Sequence, residues 1–263
     1  MKQISSNIQS SLPLDIALKI ASTLEVLDVC ALGGCSRFWR EICGSDCVWE
    51  SLTRERWPLL TFPNKSSSSS DPVTKGWREI YIKMHRETAG KATTVVEFVE
   101  NCSSSELLEV GDYYKAIEDL CSMQLAFRDV QMFLFKPTLN VLLNLVGLHY
   151  CIFCLQVPLS PSLNMVLIKL IHQVRHVMDA LLSCKISERQ VCVKWWKLGR
   201  WFYGFRMRDE SHSRMVSLAD LLTNKGEEVL GVLRRGAIHE VLHVEICISN
   251  VASTPWSSSQ QQD

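Results

Sequence analysis

The chain has 263 residues, of which 47% are hydrophobic and 21% charged, and its 28 basic residues balance its 28 acidic ones. This composition predicts a globular core and argues against global disorder, and the zero net charge argues against nucleic acid or an anionic membrane as the main partner. The polar start of the sequence lacks the apolar stretch of a secretory signal. We therefore expect a cytoplasmic and/or nuclear protein with reduced thiols.

The first predicted element is a compact helical module between Leu12 and Trp57. Its apolar residues follow helical spacing with short breaks, which predicts three or four short helices. We place this module at residues 9–57, after a disordered N-terminus at residues 1–8. Residues 58–75 contain five consecutive serines, a composition that predicts a flexible loop.

Helical spacing continues after this loop. It predicts a helix beginning at Trp77 and further helices over Leu107–Phe135, Pro161–Leu182 and Glu227–Arg235. Gly236 directly follows the last of these and is a typical residue for ending a helix. The C-terminal part of the chain is thus predicted to be mainly helical.

The stretch Thr138–Val157 lies in a region without charged residues and is about long enough to span a bilayer. Asn140, Asn144 and His149 interrupt its apolar character, Pro158 follows it, and no basic cluster flanks it. Of the two interpretations, a membrane span and a fully buried helix, we favour the buried helix.

Two segments alternate apolar and polar residues as strands do. We predict that residues 193–207 and 238–249 pair as antiparallel strands, and that Met215–Leu222 between them is helical. The predicted fold class is mainly α: an N-terminal multi-helix module followed by a helical C-terminal domain with a small β element. This domain is placed at residues 76–251, and residues 252–263 are predicted to be a disordered tail.

The N-terminal module also carries a motif at fixed spacing. The motif opens on Leu12-Pro13, contains an Arg-x-Trp-Arg stretch at residues 37–40 and closes on Val48-Trp49. This pattern resembles the F-box family, and within it the small plant-type F-box proteins without recognised substrate-binding repeats. Ala17 and Ala21 depart from the pattern, because larger aliphatic residues are common there in the family, and this difference could weaken adaptor binding.

The resemblance implies a non-catalytic substrate receptor of an SCF-type ubiquitin ligase. Such a protein binds the Skp adaptor, and through it the cullin and RING subunits, while its C-terminal domain binds a target protein for ubiquitination. The module has more apolar area than it can bury within itself, as a protein-binding surface requires. The adaptor-binding residues implied are Leu12, Pro13, Ile16, Ile20, Leu24, Leu27, Val29, Leu32, Val48 and Trp49.

Other features give little sign of chemistry. Eleven cysteines are scattered without regular spacing, which predicts free thiols rather than a disulfide framework. Cys151 and Cys154 form a lone Cys-x-x-Cys pair, and His172 and His176 stand four residues apart, but neither pair has the further ligands that a zinc site needs. We find no phosphate-binding loop and no nucleophile motif, and expect no catalytic residues, metal or cofactor.

Residues 194–208 interleave cations with aromatic side chains. They could bind an acidic or phosphorylated segment of a target through their arginines, although a half-buried strand with solvated basic positions is the plainer interpretation. Two alternatives to a receptor stay open: an adaptor-bound regulatory protein without a degradation target and, less favoured, a nucleic-acid-binding protein using these residues. For target contact we single out Trp195, Arg200, Trp201, Arg206 and Arg208.

Overall fold

The computed structural model describes residues 12–57, 76–103, 106–155, 163–236 and 241–248. The predicted disordered termini and the predicted serine-rich loop lie outside these residues. The chain divides into two compact units, Met1–Ala89 and Gly90–Asp263. The domain limits predicted at 9–57 and 76–251 stay predictions.

Residues 12–57 of the N-terminal unit, the first described range, form four short helices, in agreement with the prediction for Leu12 to Trp57. They are α1 (Leu14–Ser22), α2 (Val26–Cys35), α3 (Arg37–Gly44) and α4 (Asp46–Arg56). Pro13 directly precedes α1, and Asp15 in its first turn carries the charge that the positive end of a helix dipole favours. At the start of α3, the Ser36 hydroxyl accepts a hydrogen bond from the Trp39 backbone amide.

The core of this unit depends on small residues in α1. Ala17 and Ala21 are completely buried, and α1 packs against α3 and α4. Because an alanine occupies little space, the helices can approach closely at these two positions. The two departures from the family pattern are therefore interior packing residues, and their side chains are not part of the surface.

Helix α5 (Trp77–Cys102) begins in the same unit, where Tyr81 is buried among the residues of α1 to α4. The Arg56 guanidinium at the end of α4 donates to the Tyr81 hydroxyl at 2.6 Å and lies over the rings of Trp57 and Tyr81. A buried guanidinium needs such partners to offset its lost hydration. The predicted helix at Trp77 is confirmed.

The described part of the C-terminal unit is mainly helical, with a four-stranded sheet and a separate two-stranded hairpin. After α5 follow β1 (Leu107–Glu109), α6 (Val110–Met123), α7 (Phe127–Phe133), α8 (Val141–His149), a π-helical turn (Tyr150–Cys154) and α9 (Leu163–Ser183). Then come β2 (Gln190–Lys197), β3 (Trp201–Phe202), β4 (Phe205–Arg206), β5 (Glu210–Ser217), 3-10 turns at Asp220–Leu222 and Asn224–Gly226, α10 (Glu227–Arg235) and β6 (Val241–Ile248).

The predicted helix over Leu107–Phe135 is wrong at two places. Residues 107–109 form a strand that pairs with β6, and Gln124 takes a left-handed backbone conformation with φ of 50° that ends α6. The prediction of α10 is confirmed: it ends at Arg235, and the amide of Gly236, with φ of 67°, donates to the Val232 carbonyl.

The sheet has the strand order β1-β6-β2-β5, with every neighbouring pair antiparallel. The predicted pairing of the two alternating segments is confirmed for its first part, from Val193 opposite Ile246 to Lys197 opposite Val241. It is wrong for residues 201–206, which pair with each other. The prediction of a helix at Met215–Leu222 is wrong. Met215 lies in β5 opposite Cys192, and the helical spacing after it belongs to a 3-10 turn.

Residues 141–151 of the long uncharged stretch lie in the C-terminal core, and its last residues, 156–157, lie outside the described ranges. Every residue of α8 is buried, and no helix within the described residues is long and apolar enough to cross a membrane. The Asn144 side chain donates to the carbonyls of Leu134 at 2.6 Å and Lys136 at 3.2 Å, and its Oδ1 accepts from Arg189. A buried amide with all these partners carries little desolvation penalty.

His149 at the end of α8 is a second buried polar group, with its Nδ1 2.9 Å from the Tyr113 hydroxyl. Burial, with a smaller contribution from the Arg234 charge, lowers the pKa of His149 from 6.5 to about 4. Between these two values the unfolded chain binds a proton that the folded chain does not. The contribution of His149 to the free energy of unfolding is therefore most favourable above pH 6.5, and it decreases as the pH falls towards 4.

We predict that this one group reduces the free energy of unfolding by about 3 kcal/mol between pH 6.5 and 4. Urea denaturation at several pH values measures the effect. The matched control is His149→Gln, which keeps an acceptor for the Tyr113 hydroxyl and does not titrate. An equally steep loss of stability in both proteins would contradict the assignment to His149.

Candidate adaptor-binding surface

Part of the apolar surface of the N-terminal unit is not covered by the chain itself. Ile16 and Ile20 in α1 are 46% and 40% exposed, and Leu27 at the start of α2 is 81% exposed. Pro13, Ile16 and Ile20 are spaced three and four residues apart, so they share one face of the chain entering and forming α1. Leucine and isoleucine in such number on a small unit are typical of a protein-binding surface.

Three of the predicted adaptor-binding residues are elsewhere. Val29, Val48 and Trp49 are buried in the core of the unit, and the Trp49 indole N–H donates to the Cys43 carbonyl at 2.7 Å. Their assignment to an adaptor contact is corrected, because a side chain covered by its own unit offers no area to a partner. Helical spacing identifies apolar positions, but it does not show which of them are buried in the unit and which remain exposed for a partner. Leu12, Leu24 and Leu32 are half-buried against the same core.

Leu14 is an exposed apolar residue that the sequence analysis missed, with 61% of its surface accessible. It follows Pro13 in the first turn of α1. Leu14 stands three and seven residues before the buried Ala17 and Ala21, so helical spacing places it on the inward face of this helix and gives no signal of its exposure. We define the exposed apolar set as Pro13, Leu14, Ile16, Ile20 and Leu27.

The potential metal-binding pairs gain no further ligands. Within the described ranges, no group of three or more His, Cys, Asp or Glu side chains could hold a metal ion. His172 and His176 lie with their Nε2 atoms 3.3 Å apart on the exposed side of α9. Cys151 is buried, and burial raises the pKa of Cys154 to about 12, which makes a reactive thiolate unfavourable.

The predicted target-binding residues separate into two locations. Trp195 is completely buried on the inner face of the sheet, where it stacks on His212 with ring centroids 5.3 Å apart, so its prediction as a target contact is wrong. The strand ends at Lys197 because the chain then turns into a separate hairpin of β3 and β4. Arg200, Trp201, Arg206 and Arg208 belong to this hairpin and the residues next to it.

Comparison with known proteins agrees with the motif in the N-terminal unit. Residues 9–55 match the family model of the F-box-like domain. A search of curated proteins and a search of solved structures each returned no match. An F-box-like domain implies binding of a Skp adaptor within SCF-type complexes, whereas the resemblance to plant-type members stays a prediction. The chain therefore carries an F-box-like domain at residues 9–55.

Proposed function

We propose that this F-box protein is a substrate receptor of an SCF-type ubiquitin ligase. The observation that carries the proposal is the F-box-like match at residues 9–55, in a domain that leaves Ile16, Ile20 and Leu27 exposed. Members of this family act as non-catalytic subunits, so the chain would position a target and carry out no chemical step itself. We place this activity in the cytoplasm and/or the nucleus.

The adaptor would cover the exposed apolar set and the half-buried leucines beside it. Fully burying one leucine or isoleucine side chain contributes about 1.5–3 kcal/mol, so a few such residues supply most of the affinity of an ordinary interface. The proposed contact residues are Leu12, Pro13, Leu14, Ile16, Ile20, Leu24, Leu27 and Leu32.

The C-terminal unit would bind the target protein. With the target bound there and the adaptor bound at the F-box, the target and the ubiquitin-charged conjugating enzyme share one complex with the cullin and the RING subunit. Their encounter then becomes intramolecular, at an effective concentration that reaches about the millimolar range for short flexible connections. Ubiquitination is accelerated by proximity alone.

We expect the wild-type chain, isolated from cells with the proteasome inhibited, to co-purify ubiquitinated proteins. Leu27→Asp should reduce their yield several-fold, because it introduces a charge where an apolar side chain is to be buried. Quantitative mass spectrometry of ubiquitinated peptides measures both yields. Ile82→Asp is the matched control, since Ile82 is exposed in α5 outside the residues that match the F-box-like family.

Two outcomes would contradict the receptor proposal. Equal yields of ubiquitinated proteins from wild type and Leu27→Asp would show that ligase activity does not depend on the exposed apolar set. A partner that binds the chain in stoichiometric amounts but never carries ubiquitin would favour the alternative of a regulatory F-box protein without a degradation target.

A further inference from the structure

The hairpin of β3 and β4 projects large apolar side chains into solvent. Trp201 is 73% exposed, Tyr203 88% and Phe205 78%, and Met207 directly after the hairpin is also exposed. Side chains of this size are enriched at the centres of protein interfaces. In the C-terminal unit, within the described residues, no other short segment exposes three aromatic side chains to this degree.

The backbone holds this hairpin in a defined shape. Tyr203 and Gly204 have φ values of 47° and 82°, the combination of a two-residue turn whose twist suits antiparallel strands. At the base, the Met207 amide donates to the Arg200 carbonyl at 2.9 Å. A side chain at Gly199 would overlap the Met207 carbonyl, so this close approach requires glycine.

Asp209 adds a polar contact at the base of the hairpin. Its Oδ1 accepts hydrogen bonds from the Gly199 amide at 2.8 Å and from the Arg206 guanidinium at 3.1 Å. The first of these bonds, followed by the Arg206 charge, lowers the pKa of Asp209. A shape fixed in this way loses little conformational entropy when a partner binds.

The register of the hairpin places cations beside aromatic rings. Trp201 lies directly opposite Arg206, so the two side chains share one face, and Phe202 lies opposite Phe205. In this segment most aromatic residues are odd-numbered and the arginines are even-numbered, an order that one continuous strand would separate onto two faces. The two-residue turn instead pairs an odd-numbered residue with an even-numbered one. As a result, a basic side chain shares a face with an aromatic one.

The segment around the hairpin is locally basic although the whole chain is neutral. Residues 194–214 contain six lysines and arginines and two acidic residues, whereas the chain as a whole has 28 of each sign. Arg208 is exposed, and Arg206 is exposed at about half of its side chain even with Asp209 beside it. Charges of one sign attract an oppositely charged partner over about 8–10 Å at moderate salt.

We propose that this hairpin binds an acidic, extended segment of the target protein that carries at least one large apolar side chain. The inference rests on the proposed receptor function and names its class of target. The apolar side chain would pack against Trp201 or against Phe205 and Met207, while carboxylates would pair with Arg208 and the accessible part of Arg206.

A peptide fits these features better than a single-stranded nucleic acid. Met207 and Leu198 are exposed aliphatic side chains next to the hairpin, and they offer packing for a side chain but no stacking plane for a base. Arg206 already shares its charge with Asp209. The zero net charge of the chain also provides no long-range attraction for a phosphate backbone.

The test is a selection from a random library of displayed peptides about twelve residues long, with the full chain bound to its adaptor as bait. We expect enrichment of peptides rich in Asp and Glu with an aromatic or aliphatic residue. For a synthesised selected peptide, Trp201→Ala with Phe205→Ala should weaken binding about tenfold or more, measured by fluorescence anisotropy. Arg208→Glu should weaken it several-fold, and more at low salt.

The matched controls are Leu182→Ala and Arg175→Glu, at an exposed leucine and an exposed arginine of α9. Both should bind the selected peptide like the wild type. No acidic consensus, or equal binding by the hairpin variants and the wild type, would overturn the inference. Tighter binding of an oligothymidine strand, lost in the Trp201→Ala and Phe205→Ala protein, would overturn it in favour of nucleic acid.

Failure of this inference can be told apart from failure of the receptor proposal. The hairpin variants should bind purified Skp adaptor like the wild type, because their changes lie in the C-terminal unit. Leu27→Asp should lose the adaptor and, as the isolated full chain, still bind the selected peptide. If the wild type does not bind the adaptor, the receptor proposal is refuted, whereas the peptide-binding result for the hairpin still stands.

Discussion

The triple substitution Ile16→Ala, Ile20→Ala, Leu27→Ala should lower the affinity for a Skp adaptor about 100-fold or more. Each truncated side chain loses part of the 1.5–3 kcal/mol that its full burial contributes, and a combined loss of about 3 kcal/mol corresponds to this factor. Isothermal titration calorimetry with the purified adaptor measures the change. The substitutions act at exposed positions, so the free energy of unfolding should change by only about 1 kcal/mol or less.

Two further variants make the result specific. Ile82→Ala truncates an exposed isoleucine of the same unit outside the F-box-like match and should leave the affinity unchanged. Trp49→Ala should also abolish adaptor binding, but it should do so by unfolding the unit, because Trp49 is part of the core. Wild-type affinity in the folded triple variant would show that the adaptor contacts other residues.

The second large effect is expected at Asn144. Asn144→Leu should destabilise the C-terminal unit by about 3–5 kcal/mol, because it takes the amide donor from the buried Leu134 carbonyl and leaves the Arg189 guanidinium with only the Leu139 carbonyl as an acceptor. Hydrogen exchange of the α8 amides measures this unit by itself. Arg189→Met removes a partly buried charge, whose own loss of hydration already opposes folding. It should therefore lower the free energy of unfolding by less than Asn144→Leu does.

The double variant of Asn144 and Arg189 tests the contact itself. Once Arg189 has become Met, Asn144→Leu no longer takes an acceptor from a guanidinium. The loss of stability in the double variant should therefore be smaller than the sum of the two single losses. Simple additivity would mean that the Asn144–Arg189 contact contributes nothing to stability. Leu182→Ala, at an exposed leucine of α9, should change stability by less than about 1 kcal/mol.

Local patterns predicted much of this protein. The four helices before Trp57 follow from apolar spacing, from Pro13 before the first of them and from Ser36 capping the third. The pairing of β2 with β6 follows from two alternating segments that can cover the same core. The F-box resemblance rests on fixed spacings that are far more specific than composition.

What the sequence did not predict depends on contacts between distant residues. Val29, Val48 and Trp49 carry the same helical signal as Ile16, and only packing decides which of them is covered. The short strand β1 forms by pairing with β6, where Leu108 lies opposite Ile246, 138 residues later in the sequence. Its three residues are too few to show a reliable alternation of their own.

The two-residue turn at Tyr203 and Gly204 also sets limits on how this surface can change over time. Substitutions on the hairpin alter one side chain each, so the character of the surface can drift gradually among related sequences. Insertion or deletion of a single residue in the turn would shift the register and exchange the side chains between the two faces at once. Among descendants of this sequence, loop length should therefore be conserved more strictly than the identity of Tyr203.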